Sequence, residues 1–126
     1  MIVPKKRERI RSGIARAPQR EWPRHRKFIR SLECSVPNCI WALTFEPRWN
    51  KIECAHVRVG GGAGIAQRPA DWHCIPLCSA HHNEQHAAGE PAFEKRHGID
   101  MKRIALALAR QSPDVEMRKA MREAGV

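Results

Sequence analysis

The stretch from Cys74 to His86, Cys-Ile-Pro-Leu-Cys-Ser-Ala-His-His-Asn-Glu-Gln-His, puts two thiols and three imidazoles within 13 residues. All five are metal-ligating types, and their spacing divides them. Cys78 and His81 are three apart and can face one ion from the corner between a strand and a helix, whereas His82 and His86, four apart, share a helix face and can hold another. Upstream, Cys34 and Cys39 enclose Ser-Val-Pro-Asn, a turn that brings two thiolates together as a knuckle. Cys34, Cys39, Cys78 and His81 then make a shell of three sulfurs and one nitrogen, a normal set for a closed, tetrahedral structural Zn2+. Cys74 is the alternative to His81; His81 is preferred because Cys74 and Cys78 lie on a strand leading into a helix, where the fourth residue on turns away. Cys54 and Cys74 are then simply strand thiols. The imidazoles of His82 and His86 leave positions for water or carboxylate, which suits a catalytic ion better than a structural one. His56, on a strand that would pack against that helix, is placed to take a proton from water beside such an ion, because histidine exchanges protons near neutral pH.

The elements that must position these groups follow from local pattern. Ile52, Cys54, His56 and Arg58 alternate along a strand expected over 52–59. The segment from Gly60 to Pro69, with four glycines in its first five positions, is a loop that offers Gln67 and Arg68 to phosphates. Cys74 begins a second strand, and a helix runs from Ser79 as N-cap to about Ala88, with Gly89 as its stop. Pro23 opens a short helix over 23–31 that carries Arg24, Arg26, Lys27 and Arg30, a basic face that can lie along phosphates. Trp41, Leu43, Phe45 and Trp49 are expected to supply much of the core. Further helices are expected over 91–98, from Asp100 onward, and after a Ser112-Pro113 cap, all as packing elements. The fold class is α+β: a basic flexible arm at 1–22, a zinc-stapled domain at 23–99, and C-terminal helices at 100–126 packed on it.

The chain has 126 residues, enough for one domain, and only 6% are aromatic, so a thin apolar core would benefit from a metal staple. The formal charge of +10 is concentrated: residues 1–33 carry eleven Lys or Arg against three acids, and the remaining 93 carry twelve against ten. A basic arm on a nearly neutral domain favours a polyanion, DNA above all. No apolar run approaches a membrane span, and Met1-Ile2-Val3-Pro4-Lys5-Lys6-Arg7 lacks the apolar stretch of a secretory signal. A cytoplasmic protein with reduced cysteines is expected.

Ala55-His56-Val57-Arg58, the glycine-rich loop, Asp71-Trp72 and Ile75-Pro76-Leu77-Cys78-x-x-His81-His82-x-x-x-His86 resemble the ββα-metal unit of HNH nucleases. More narrowly, they are similar to the phage and prophage nucleases related to the recombination-enhancement nuclease Ref, over about Arg30 to Ile99. The resemblance implies that His56 is the general base and that His82 and His86 bind a catalytic Mg2+ or Mn2+. It gives Asp71 the role of orienting His56 or reaching the metal. The chain departs from the pattern twice. Ala55 stands where many relatives have a further metal ligand, and His73 stands near the middle Asn position, so that role falls to His73 or Asp71. The implied reaction is metal-dependent hydrolysis of DNA phosphodiesters to 5'-phosphate and 3'-hydroxyl ends, with Arg58 on a phosphate and a recombinase filament as a candidate further partner. The competing expectation is a non-catalytic, zinc-stabilised DNA-binding module. A thiol enzyme using Cys54 or Cys74 is disfavoured, since neither has a clear base partner beyond the metal-binding histidines.

Overall fold

The computed structural model describes residues 19–40, 50–58 and 68–126. The expected core residues Trp41, Leu43, Phe45 and Trp49, most of the glycine loop, and residues 1–18 of the arm lie outside the described residues. Among those described, the element order is helix α1 (Pro23–Arg30), strand β1 (Ile52–His56), a short 3-10 turn (Asp71–His73), strand β2 (Cys74–Cys78), and helices α2 (Ser79–Ala88), α3 (Glu90–His97), α4 (Met101–Arg110) and α5 (Val115–Glu123). The protein is thus a small α+β domain around a two-stranded sheet.

β1 and β2 pair antiparallel, with Ile52 opposite Cys78 and His56 opposite Cys74. Because side chains alternate across a strand, Ala55, Val57, Ile75 and Leu77 share one face, where they form an apolar cluster with Val36, Phe93, Met101 and Ala105. That face is closed by α3 and α4. Cys54, His56 and Cys74 fall on the other face. A second cluster joins Trp22, Ala70 and Trp72 to Ala109, Met117 and Met121, fastening the chain before α1 to the C-terminal helices. No helix among the described residues is long and apolar enough to cross a membrane.

Punctuation residues account for most boundaries. Pro23 sits in the first turn of α1, Gly89 and Gly98 adopt positive φ at the ends of α2 and α3, and Asp100 accepts from the Arg103 amide to start α4. Two expected caps are corrected. The N-cap of α2 is Cys78, whose sulfur accepts from the His81 amide, while the Ser79 hydroxyl donates to the Lys51 carbonyl and accepts from the Lys51 amide. The last helix starts two residues later than Ser112-Pro113 implies, with Asp114 as its cap. Ser112 is buried and its hydroxyl pairs with His25 Nδ1 at 2.8 Å, a contact spanning 87 residues of sequence. β1 also ends earlier than expected, at His56; the Arg58 amide leaves the ladder and donates to Glu90.

The His25–Ser112 contact makes the fold sensitive to acid. His25 is fully buried, and burial lowers its pKa even though Asp71 and Asp114 pull the other way. Above the ordinary histidine pKa of about 6.5 both folded and unfolded chains carry it neutral, so it contributes no pH dependence there. Below that pH the unfolded chain binds a proton that the folded chain resists, and stability falls. His73, also lowered by burial and by Lys102 and His56, acts in the same direction. Urea midpoints should therefore drop between pH 7 and 5, with a slope of up to about 1.4 kcal/mol per pH unit for each such group. His25→Gln should flatten that slope; an unchanged slope would exclude His25 as a source.

Candidate functional site

Two sites are built on the corner where β2 meets α2. At the first, Cys78 ends β2 and His81 lies one turn into α2, which bends the chain so that both project toward the knuckle at Cys34 and Cys39. The Ser35 amide and hydroxyl both bond the Pro76 carbonyl, holding the knuckle against β2. The four donor atoms of Cys34, Cys39, Cys78 and His81 lie within 4.8 Å of one another. His81 Nδ1 is 3.5, 3.4 and 3.2 Å from the sulfurs of Cys34, Cys39 and Cys78, and the sulfurs of Cys39 and Cys78 are 3.8 Å apart. A tetrahedral zinc with ordinary bond lengths has sulfur–sulfur edges of about 3.8 Å and sulfur–nitrogen edges of about 3.6 Å. This set can hold a metal ion, and its donors and edges are compatible with structural zinc. Cys74, at the far end of β2, is not part of this cluster, so the preference for His81 agrees with the geometry. Without an ion the arrangement suits no charge: burial and the neighbouring thiols push the Cys34 pKa up to about 12, despite amide bonds from Cys78 and Val36. Behind His81, the carboxylate of Glu84 is paired with His97 at 3.0 Å and with Arg96 at 2.7 Å.

The second site is a cleft of about 450 Å³ between α1, β1 and α2. His56, His82 and His86 line it, together with Arg26, Arg30, Arg58 and Arg68. The geometry thus gathers seven of the residues that the sequence singled out from four separate segments. His82 and His86 direct their Nε2 atoms at each other, 3.1 Å apart. Two imidazoles bound to one divalent ion at bond lengths of about 2.1 Å sit at about that separation.

Glu53 is the cleft residue that sequence reasoning missed. Its carboxylate meets His82 Nδ1 at 2.8 Å. Burial alone would raise its pKa, but hydrogen bonds from His82 and Ser79 outweigh it and hold the carboxyl below its ordinary range. A carboxylate that accepts the Nδ1 proton fixes the tautomer of His82 and leaves its Nε2 lone pair free for an ion. Strict alternation puts Glu53 on the opposite strand face from His56, which is why it was passed over; the signal lay in β1 being an edge strand with α2 beside it. Ala55, by contrast, is fully buried in the apolar cluster. The carboxylate that approaches the cleft from β1 is that of Glu53. Replacing Glu53 with Ala should weaken divalent-ion binding in the cleft by 10- to 100-fold while the melting temperature moves little, a split that calorimetry and thermal denaturation can check.

Of the two roles expected for Asp71, the geometry matches orientation of His56. Asp71 is fully buried, with Oδ1 2.9 Å from His56 Nε2, Oδ2 2.6 Å from the Trp22 amide and 3.4 Å from Arg26 Nε. Burial would raise its pKa, but the bonds from His56 and Trp22 and the charge of Arg26 outweigh this and keep it ionised. An ionised Asp71 accepts a proton on His56 Nε2 and leaves the Nδ1 lone pair as the basic position. Residues 20–22, the end of the expected arm, dock here too: the Asp71 amide donates to the Arg20 carbonyl and the Arg20 side chain to that of Arg68. His73 does not line the cleft; it is buried in the 3-10 turn, and Lys102 and His56 are the charged neighbours that depress its pKa. Arg24 and Lys27 are exposed on α1 and do not line the cleft either.

No family model, curated protein or solved structure matches the chain.

Proposed function

We propose that this protein is a metal-dependent endonuclease of the HNH type, which hydrolyses DNA phosphodiesters to 5'-phosphate and 3'-hydroxyl ends, on a fold stapled by structural zinc. The observation that carries the reading is the content of the cleft. A histidine backed by a buried carboxylate, two histidines with converging ring nitrogens and four arginines are the parts that phosphodiester hydrolysis requires.

DNA enters as a polyanion, and Arg26, Arg30, Arg58 and Arg68 line the cleft that receives its phosphates. His56 accepts a proton from water at Nδ1, and the ionised Asp71 stabilises the imidazolium that results. His82 and His86 would hold the divalent ion, with Glu53 fixing His82. When bound, that ion supplies charge stabilisation to the phosphoryl oxygens and to the leaving 3'-oxygen. Arg58, two residues beyond β1 and lining the cleft, would hold the scissile or an adjacent phosphate.

The test is incubation of supercoiled plasmid with the protein and Mg2+ or Mn2+. Nicked or linear product that DNA ligase reseals without prior end repair is the expected result. Retarded but uncut DNA under every metal would favour the non-catalytic binding module instead.

A further inference from the structure

We propose that Cys74, His56 and Asp71 form a site for a thiophilic divalent cation such as Zn2+, entered through the cleft and separate from the His82–His86 pair and from the Cys34, Cys39, Cys78, His81 cluster. His56 and Cys74 are directly opposite in the sheet. The Val57 amide donates to the His73 carbonyl at 2.7 Å, so the neighbouring 56/74 pair is one without ladder hydrogen bonds, where facing side chains approach most closely. The donor atoms of His56, Asp71 and Cys74 lie within 4.8 Å of one another. Cys54, two residues before His56 on the same strand face, lines the cleft and is partly exposed.

The donor set is thus one sulfur, one imidazole and one carboxylate, with a fourth position for water, and its thiolate suits zinc rather than magnesium. Charge balances as well. One thiolate and one carboxylate neutralise a divalent ion, and Arg26, 3.4 Å from Asp71, helps to keep that carboxylate ionised. As a free thiol Cys74 is unreactive, since burial pushes its pKa up; binding requires the ion to displace the thiol proton. Occupation would engage the imidazole of His56 and so remove the proton acceptor. That consequence for cleavage rests on the proposed function, whereas the site itself does not.

The experiment uses the full chain carrying one tightly held equivalent of zinc, titrated with further Zn2+ against a colorimetric zinc chelator. A second equivalent is expected, weakened at least tenfold by Cys74→Ser and by substitution of the less buried ligand in His56→Ala, and retained in His86→Ala. Absence of a second equivalent, or one that disappears with His86→Ala and survives Cys74→Ser, would overturn the proposal. Plasmid cleavage in Mg2+ by the one-zinc protein is followed in parallel. Second-zinc binding without cleavage counts against the nuclease reading alone, and cleavage without second-zinc binding counts against this site alone.

Discussion

Stripping the metal from the Cys34, Cys39, Cys78, His81 cluster is expected to unfold the domain rather than loosen one corner of it. The cluster ties three elements together: the knuckle after α1, the end of β2 and the first turn of α2. Cys78 is at once the strand terminus, the N-cap of α2 and a donor in the cluster that can hold a metal ion. An apparent zinc-binding free energy of about 10–16 kcal/mol is comparable to or larger than the whole stability of a small domain. Losing even about 5 kcal/mol of it lowers the melting temperature by about 20–40 °C in a domain of this size. Dialysis against a strong chelator should therefore abolish a cooperative thermal transition, and Cys39→Ser should do much the same because it removes one ligand and leaves two crowded thiols. Cys54→Ser, outside the cluster, is the control and should melt within a few degrees of the parent. Circular dichroism before and after zinc is restored reads the difference; a transition unmoved by chelation would show that the cluster is not a structural metal site.

The second large effect is on chemistry alone. His56→Ala is expected to reduce DNA cleavage by about 10²- to 10⁴-fold, the usual contribution of a positioned general base. His56 is partly exposed at the cleft, so its loss opens no cavity in either apolar cluster. DNA affinity, which the proposed function assigns to the arginines, and the thermal transition should both persist. Asp71→Asn is a less clean probe, because Asp71 also anchors the Trp22 amide and Arg26. It should lower activity and also loosen the docking of residues 20–22.

The parts of the structure legible in the sequence were those fixed by local chemistry. Cys78-x-x-His81 at a strand-to-helix corner and the Pro-Asn turn between Cys34 and Cys39 announced a shared ion, because three- and five-residue spacings leave few other geometries. Gly89, Gly98 and Asp100 marked helix ends for the same reason. What escaped was set by contacts distant in sequence. Ser112 carries every signal of an N-cap, yet its hydroxyl is engaged by His25, and only the packing of α1 against the C-terminal helices reveals this. Glu53 was hidden by the two-residue period of its strand. Asp71 was recognisable as a partner for His56, but its complete burial and its grip on Trp22 depend on how the chain before α1 returns to the 3-10 turn.

The central claim is that the cleft cuts DNA through His56 with a divalent ion held by His82 and His86. The most direct measurement is the single-turnover rate of plasmid nicking in Mg2+ for the parent and for His56→Ala, with DNA binding recorded on the same samples and EDTA added to a third. The account predicts cleavage by the parent, a loss of at least 100-fold in the variant with unchanged DNA binding, and no cleavage in EDTA. A His56→Ala variant that nicks at the parent rate, or a parent that remains active in EDTA, would contradict it.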